Sequence, residues 1–153
     1  ITQIKNRLEG DLLEQAIVSA DVVVDASDNF NTRFAVNQSC LKNKKPLVSG
    51  AAIRMEGQVA VFDSENPESP CYQCLYSECD DEDASCSQNG VMAPLVGIIG
   101  SVQAMETIKL ITGIGNSLVG RLLLLDAATM QWREMKLPRD PSCPACGGSD
   151  GSS

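Results

Sequence analysis

Histidine is absent from this 153-residue sequence. Its absence excludes acid–base catalysis by imidazole, Ser–His and Cys–His nucleophile pairs, and every metal site with a histidine ligand. A zinc site in this chain must therefore be built from cysteine, with aspartate or glutamate as the remaining candidates.

Targeting and membrane signals are also missing. The first ten residues, ITQIKNRLEG, contain neither the basic region nor the apolar region of a signal peptide. No apolar run is expected to reach the ~20 residues of a membrane span, so we expect no membrane contact and a cytoplasmic location. The first residue is not methionine, which suggests that the chain begins inside a larger protein.

Positive charge is scarce. Twelve lysines and arginines stand against 20 acidic residues, which gives a net charge of −8. Such a surface repels phosphate backbones, so we expect no nucleic-acid partner. Seven cysteines, an odd number, fit a pure disulfide framework badly. In a reducing cytosol, C-x-x-C pairs more often bind metal or carry redox chemistry than form structural disulfides.

Hydrophobic periodicity predicts one α/β domain whose sheet is mostly parallel, with an antiparallel closing portion. The predicted helices and strands are helix 8–20, buried strand 21–27, helix 28–44, strands 46–52 and 57–63, helix 93–113 and a hairpin of strands 121–127 and 130–137. Gly113 is expected to stop the long helix, whose Gly97 and Gly100 suggest close packing on another element. Residues 64–91 are expected to form a long crossover loop, and 147–153 a mobile tail.

Polar residues follow the first predicted strand, in the sequence VVVDASDN. Ligands of doubly wound folds bind beyond the carboxyl ends of strands, where Asp25, Asp28 and Asn29 would lie. A carboxylate there can hold Mg²⁺ beside a nucleotide phosphate. Asp28 and Asn29 can equally be helix caps, and the residues alone leave both interpretations open. The sequence contains no Walker-type phosphate loop.

Two C-x-x-C pairs give the strongest signal. Each pair can place two thiolates on one tetrahedral ion, so Cys71, Cys74, Cys143 and Cys146 predict a structural Cys₄ zinc site. A rival site would use Cys79 and Cys86 with the first pair. Redox activity is a third interpretation, although neither pair opens a helix in a thioredoxin-like setting.

Three cysteines remain if the two pairs bind zinc. Cys40 lies in a helical pattern and is expected to be a core residue. Cys86 lies in the long loop, where an exposed thiol could act as a nucleophile. The acidic run 80–83 argues against this role, because nearby negative charge disfavours the thiolate.

Six segments in this order resemble one family: DASDNFNTR, PLVSGAAIRMEGQV, CYQCL, CSQNGVMAPLVGIIGSVQAMETIKLITG, WREMKL and CPACGG. Nearly the whole chain resembles the carboxyl-terminal part of ThiF-type adenylyltransferases, which activate small ubiquitin-like sulfur-carrier proteins. The resemblance implies the later half of a single Rossmann-like adenylation domain over residues 1–153, with a mixed sheet, flanking helices and a zinc knuckle. It also implies a homodimer.

The resemblance implies that ATP and Mg²⁺ activate the carboxyl-terminal Gly-Gly of the carrier as an acyl-adenylate. Asp28 and Asn29 match the nucleotide-binding pair of the family, and Arg33 matches a recurrent arginine. The four cysteines of the two pairs match the zinc ligands. Cys86 matches a loop cysteine that, in some members, forms a thioester or acyl-disulfide with the carrier.

The resemblance also implies that the Gly-rich loop and other phosphate-binding residues belong to an amino-terminal half that these residues do not include. We therefore expect this chain to be unable to form the adenylate by itself. The alternative function, from a different functional class, is that of a non-catalytic, zinc-stapled module that binds a protein partner.

Overall fold

A computed structural model describes residues 1–76 and 90–148 of the chain. The elements in chain order are α1 (Gly10–Val18), β1 (Val23–Asp25), α2 (Phe30–Lys42), β2 (Leu47–Ile53), β3 (Glu56–Phe62), α3 (Tyr72–Leu75), α4 (Ala93–Thr112), β4 (Arg121–Asp126) and β5 (Gln131–Lys136). Each predicted helix and strand is confirmed with shifted ends. The short helix α3, inside the expected crossover loop, was not predicted.

The five strands form one mixed sheet in the order β1-β2-β3-β4-β5, which confirms the predicted mixed sheet with flanking helices. β1 runs parallel to β2, and the other three pairings are antiparallel. The expected majority of parallel pairings is therefore wrong for the described strands. Only Arg54 and Met55 separate β2 from β3, a connection too short for the crossover that a parallel pair needs.

Helices cover both faces of the sheet. On one face, α4 packs on β2 and β3, where Val48, Val59 and Leu95 belong to a buried apolar cluster. The other face carries α1, α2 and α3 over a second cluster, which includes Leu47 and Phe62. Neighbouring residues of one strand therefore enter opposite cores, as the alternation of side chains along a strand requires.

Strand β1 is less buried than expected. Asp25 is its one buried residue, and Val24 is 48% exposed. Because β1 is the edge strand of the described sheet, only β2 lies beside it. The expectation of a buried strand over 21–27 is therefore wrong for the described structure.

Helix α4 ends as predicted, with Gly113 in the left-handed conformation. By length and composition it could cross a membrane, since an 18-residue stretch of it has a mean hydropathy of 1.3. The expectation that no apolar run approaches this length was therefore wrong. Only 22% of that stretch is buried. A Cβ atom on Gly97 or Gly100 would meet nothing within 4 Å, so the packing expected there is not present among the described residues.

Gly50 on β2 lies in close contact with the Gln103 side chain of α4. We predict that Gly50→Ala destabilises the fold. The added Cβ atom would lie 2.3 Å from Cδ of the buried Gln103 side chain. Gln103 would have to leave the two strand carbonyls that it binds, at a cost of about 1–3 kcal/mol. Urea unfolding measures the change.

Gly148→Ala is the matched control, because a Cβ atom there would meet nothing within 4 Å. It should change the free energy of unfolding by less than about 0.5 kcal/mol. Equal stability of Gly50→Ala and the unmodified chain would contradict the prediction.

Candidate functional site

The carboxyl end of β1 leads into α2 through a turn with two distinct polar residues. The Oδ1 atom of Asn29 accepts a hydrogen bond from the Thr32 N–H at 2.8 Å, so Asn29 is the N-cap of α2. Asp28 does not cap the helix. Its carboxylate is exposed, and Oδ1 accepts a hydrogen bond from Asn29 Nδ2 at 3.4 Å. The capping alternative therefore holds for Asn29, and the Asp28 carboxylate remains available to a ligand.

A cavity of about 290 Å³ opens beside this turn. Its walls come from the start of α2, from Tyr76 and from β2 to β5, and it is lined by Asp28, Asn29, Phe30, Arg33, Ala51, Ala52, Ile53, Glu56, Gly57, Gln58, Tyr76, Leu124, Leu125, Asp126 and Arg133. Acidic, basic and apolar residues line it, which suits a ligand with both charged and uncharged parts. The structure thus brings Asp28, Asn29 and Arg33 together at one cavity.

Arg33 is buried, and its side chain holds the backbone of the turn. Its Nε and Nη2 atoms donate to the Ser27 carbonyl at 3.2 and 2.6 Å, and Nη1 donates to the Tyr72 hydroxyl at 3.4 Å. Burial raises the pKa of Tyr72 to about 12, although the guanidinium of Arg33 acts in the opposite direction. Arg33 therefore fixes the backbone immediately before Asp28, a role that its planar fork of donors suits.

Gln103 fixes the same turn from the other face of the sheet. Its Nε2 atom donates to the carbonyls of Asp25 at 2.8 Å and Val48 at 3.3 Å, which joins the ends of two strands to α4. Sequence reasoning missed this residue. Its signal was a polar side chain, repeated at Glu106, within a mostly apolar helix.

The Asp25 carboxylate is buried at this strand end. Its Oδ1 atom accepts a hydrogen bond from the Ser27 N–H at 2.9 Å. Its Oδ2 atom and the Ser27 hydroxyl have no hydrogen-bond partner among residues 1–76 and 90–148. Buried polar atoms are normally paired, so this end of β1 offers a further donor and acceptor to a ligand or another segment.

Aromatic side chains form the wall behind the cavity. All three phenylalanines and both tyrosines contact one another in one cluster, mostly edge to face, with ring centroids 5.2–6.1 Å apart. The Tyr76 hydroxyl also pairs with the amide of Gln58 on β3 at 2.6 Å. These contacts pack α3 against α2.

The two C-x-x-C pairs come together, as their spacing predicted. The four Sγ atoms lie within 4.8 Å of one another, with 3.7 Å between Cys71 and Cys143 and 3.4 Å between Cys74 and Cys146. Four sulfurs at about 2.3 Å from a tetrahedral ion would be about 3.8 Å apart. The arrangement therefore fits a four-sulfur metal site. Cys79 and Cys86 lie outside the described residues, as does most of the expected mobile tail.

Backbone N–H groups stabilise the cysteine cluster. Cys74 Sγ accepts from the N–H groups of Cys71 at 3.4 Å and Asp140 at 3.5 Å. Burial acts to raise the pKa of Cys143, but the backbone N–H groups of Cys146 and Ala145 hold it below its usual value. Burial raises the pKa of Cys146 to about 11, and the Cys74 thiol adds to this effect.

Tight turns bring the cysteines into place. A Cβ atom on Gly147 would lie 2.4–2.6 Å from backbone atoms of Pro141 and Cys143, so only glycine fits there. Arg139 donates to the carbonyls of Pro67 and Cys146 and ties the turn to the loop before α3. Since α3 carries Cys74 and leads into Tyr76, the cluster and the cavity share one support.

Comparison with known proteins agrees with this architecture. The ThiF family model matches residues 1–145. The chain is 47% identical over 147 residues to the molybdopterin-synthase adenylyltransferase of Salmonella typhimurium, covering 96% of this chain and 59% of the relative. It is 39% identical over 150 residues to the sulfur carrier protein ThiS adenylyltransferase of Escherichia coli, covering 98% of this chain and 59% of that protein.

A crystal structure of E. coli MccB superimposes with a TM-score of 0.77 at 16% identity, over 98% of this chain and 45% of that one. A crystal structure of MccB with ATP gives a TM-score of 0.75 at 17% identity, over 95% and 45% of the two chains. These likenesses show the fold. The chain spans 59% of the length of the two sequence relatives above. A family match over almost all its residues and identity approaching one half establish that this chain belongs to the ThiF family.

Proposed function

We propose that the protein containing this chain adenylylates the carboxyl-terminal glycine of a small ubiquitin-like sulfur-carrier protein. The observation that carries the proposal is the exposed Asp28 carboxylate at the edge of a cavity large enough for a peptide end. Arg33 and Gln103 hold the backbone of the turn that carries it. Relatives at 47% and 39% identity are named adenylyltransferases, one for molybdopterin synthase and one for the carrier ThiS.

The reaction joins the carrier's terminal carboxylate to the α-phosphate of ATP. A carboxylate oxygen forms the new bond to the α-phosphorus. The bond from that phosphorus to the oxygen that bridges to the β-phosphate breaks, and pyrophosphate leaves with its electron pair. Mg²⁺ would neutralise the phosphate oxygens, and carboxylates are its preferred protein ligands. In this proposal Asp28 holds the ion, Asn29 fixes the start of α2, and Arg33 keeps the turn in place.

The carrier's carboxyl-terminal Gly-Gly would enter the cavity between α2 and the sheet. Glycines add no side-chain bulk, so an extended tail could pass the aromatic wall formed by Phe30 and Tyr76. The carrier of molybdopterin synthase and the thiamine-pathway carrier are both candidates. We do not assign a covalent role to Cys86, which stays a sequence-based hypothesis.

The cysteine cluster is proposed to bind one structural zinc ion. Four sulfur ligands leave no open position for water or substrate, so the ion would stabilise the fold and take no part in the reaction. None of the five described cysteines forms a disulfide, which fits a reducing cytoplasm.

We further propose a homodimer through α4, and predict that Ile108→Glu weakens it. Small and apolar residues line the exposed face of this helix at spacings of three and four, namely Gly97, Ser101, Ala104, Ile108 and Ile111. Such a stripe suits close helix packing. Sedimentation equilibrium should show a dimer that weakens at least ~10-fold in the variant, because a charge would be buried.

Leu12→Glu is the matched control, because it changes an exposed leucine of α1 on the opposite layer. It should leave the dimer intact. A monomeric unmodified chain, or equal weakening by both substitutions, would contradict the dimer proposal.

The function is tested in a chimera, because the chain spans 59% of its relatives. The chain replaces the matching segment of the Salmonella enzyme, and ATP–pyrophosphate exchange is measured with each of the two carriers. We expect exchange that depends on both Mg²⁺ and a carrier, and none from the chain alone. A correctly folded chimera without exchange would contradict the proposal.

A non-catalytic protein-binding module is the second candidate. It is favoured by the cysteine cluster, which joins the end of the chain to α3 without using the cavity. Carrier binding by the chimera without any exchange would support this candidate. Exchange that disappears when the carrier's terminal glycine is removed would exclude it.

A further inference from the structure

A second cavity lies at the opposite end of the sheet from Asp28. It has a volume of about 540 Å³ and is enclosed by the end of α2, the loop 64–70 and the turn that carries Cys146. Leu47 begins β2 and Phe62 ends β3, so both residues mark the edge remote from the carboxyl end of β1. Nothing in the proposed adenylylation uses this cavity.

Positive charge is concentrated around the cavity. Lys44, Lys45 and Arg139 line it against one acidic residue, Glu65, although the chain as a whole carries a net charge of −8. Within residues 1–76 and 90–148, neither lysine ammonium group forms an ion pair or a side-chain hydrogen bond. This local excess of positive charge would attract an anion.

The ammonium groups of the two lysines are not needed as hydrogen-bond donors to the carbonyls at the end of α2. The last carbonyls of the helix already accept backbone N–H groups: Asn43 donates to Ser39, Lys44 to Leu41 and Lys45 to Cys40. Lys44 has a φ of 51°, the left-handed conformation that commonly follows a helix C-cap, so its backbone ends α2 and its side chain is not needed there.

A buried donor lines the same cavity without a partner. Asn37 is 1% exposed, and its Oδ1 atom accepts a hydrogen bond from the Tyr72 N–H at 2.9 Å. That contact fixes the orientation of the amide, so the other atom is the donor Nδ2. Nδ2 has no hydrogen-bond partner in the described part of the chain. An oxyanion in the cavity would supply the missing acceptor.

The floor of the cavity is apolar and uncharged. Leu47 and Phe62 belong to the core, and the Cys40 thiol beside them is buried. Burial, with the nearby Asp25 carboxylate, raises the pKa of Cys40 to about 12, so this thiol stays neutral and does not repel an anion. The floor therefore suits the carbon skeleton of a ligand rather than a second charge.

We propose that this cavity binds a small organic anion, with its carboxylate or phosphate head at Asn37, Lys44 and Lys45 and its apolar body on Leu47 and Phe62. Arg139 adds positive charge and also bonds the carbonyls of Pro67 and Cys146. Occupancy would thus stabilise the turn of the cysteine cluster, which makes the cavity a candidate regulatory site.

The test uses the metal-loaded 153-residue chain and isothermal titration calorimetry with three probes. Phenyl phosphate and benzoate carry the two possible heads on the same apolar ring, and inorganic phosphate carries the head alone. We expect one ring-bearing probe to bind at least 10-fold more tightly than inorganic phosphate and to raise the Tm. Whichever of phenyl phosphate and benzoate binds more tightly identifies the head group.

Two variants test the assigned residues. Lys44→Gln/Lys45→Gln should weaken binding at least 10-fold, whereas Lys5→Gln/Lys136→Gln removes the same charge elsewhere and should change it less than 2-fold. Asn37→Asp keeps the acceptor for Tyr72 but replaces the donor, and should abolish binding. No binding of either ring-bearing probe, equal binding of inorganic phosphate, or equal weakening by both double variants would overturn the proposal. These results are independent of the exchange assay.

Discussion

The Cys143→Ser/Cys146→Ser variant is expected to lose its bound zinc and to unfold about 10 °C below the unmodified chain. The structure brings both pairs within 4.8 Å, so removing one pair leaves two sulfurs that cannot hold the ion tightly. Because metal binding adds to folding free energy, losing the ion should cost about 3 kcal/mol or more in a chain of this size. Elemental analysis and thermal unfolding measure the two effects.

Cys79→Ser/Cys86→Ser is the matched control, since it also removes two thiols. It should keep one zinc ion per chain and an unchanged Tm. Zinc retained by the Cys143→Ser/Cys146→Ser variant and lost from the control would establish the rival site within residues 71–86. Cys86 would then be a ligand, and its proposed nucleophilic role would be excluded.

Asp28→Asn is expected to lower pyrophosphate exchange in the chimera by about 100-fold. The substitution removes the charge that would hold Mg²⁺ and preserves the shape of the side chain, and a lost metal contact of this kind amounts to several kcal/mol of transition-state stabilisation. The fold should not change, because Asn29 rather than Asp28 caps α2. The exchange rate at saturating ATP is measured across a Mg²⁺ titration.

Asp21→Asn controls for the loss of one negative charge. Asp21 is exposed and lies before β1, away from the cavity, so its substitution should leave the rate within 2-fold. If Asp28→Asn exchanges as fast as the unmodified chimera at every Mg²⁺ concentration, the assignment of Asp28 fails. The family membership would remain, since it does not depend on this residue.

Local sequence signals predicted most of the elements and part of the site. Gly113 marked the end of α4, and the alternating pattern over 57–63 marked β3, because side-chain direction and backbone preference are local properties. The spacing of the two C-x-x-C pairs predicted the cysteine cluster, since each pair already matches the geometry of one metal ion.

Other features depended on contacts between distant residues. The sequence left open whether Asp28 or Asn29 caps α2. In the structure Asn29 is the cap, because its side chain accepts a hydrogen bond from the Thr32 N–H. The expectation of mostly parallel strand pairing was wrong, because the direction of pairing depends on both the two-residue turn and the strand that follows it. Gln103 could not be assigned, since its partners at Asp25 and Val48 are 78 and 55 residues away.

The sequence by itself determined which residues have the chemistry for this protein: no histidine, four paired cysteines, and an Asp-Asn turn after a strand. Composition and short-range spacing are sufficient for that, because ligand type and local geometry are properties of neighbouring residues. Only the tertiary structure decided which of them meet. It placed Arg33 against the backbone before Asp28, brought the Sγ atoms of Cys71 and Cys143 to 3.7 Å, and formed a second cavity beside Asn37, because burial and long-range contacts arise only when the whole chain packs.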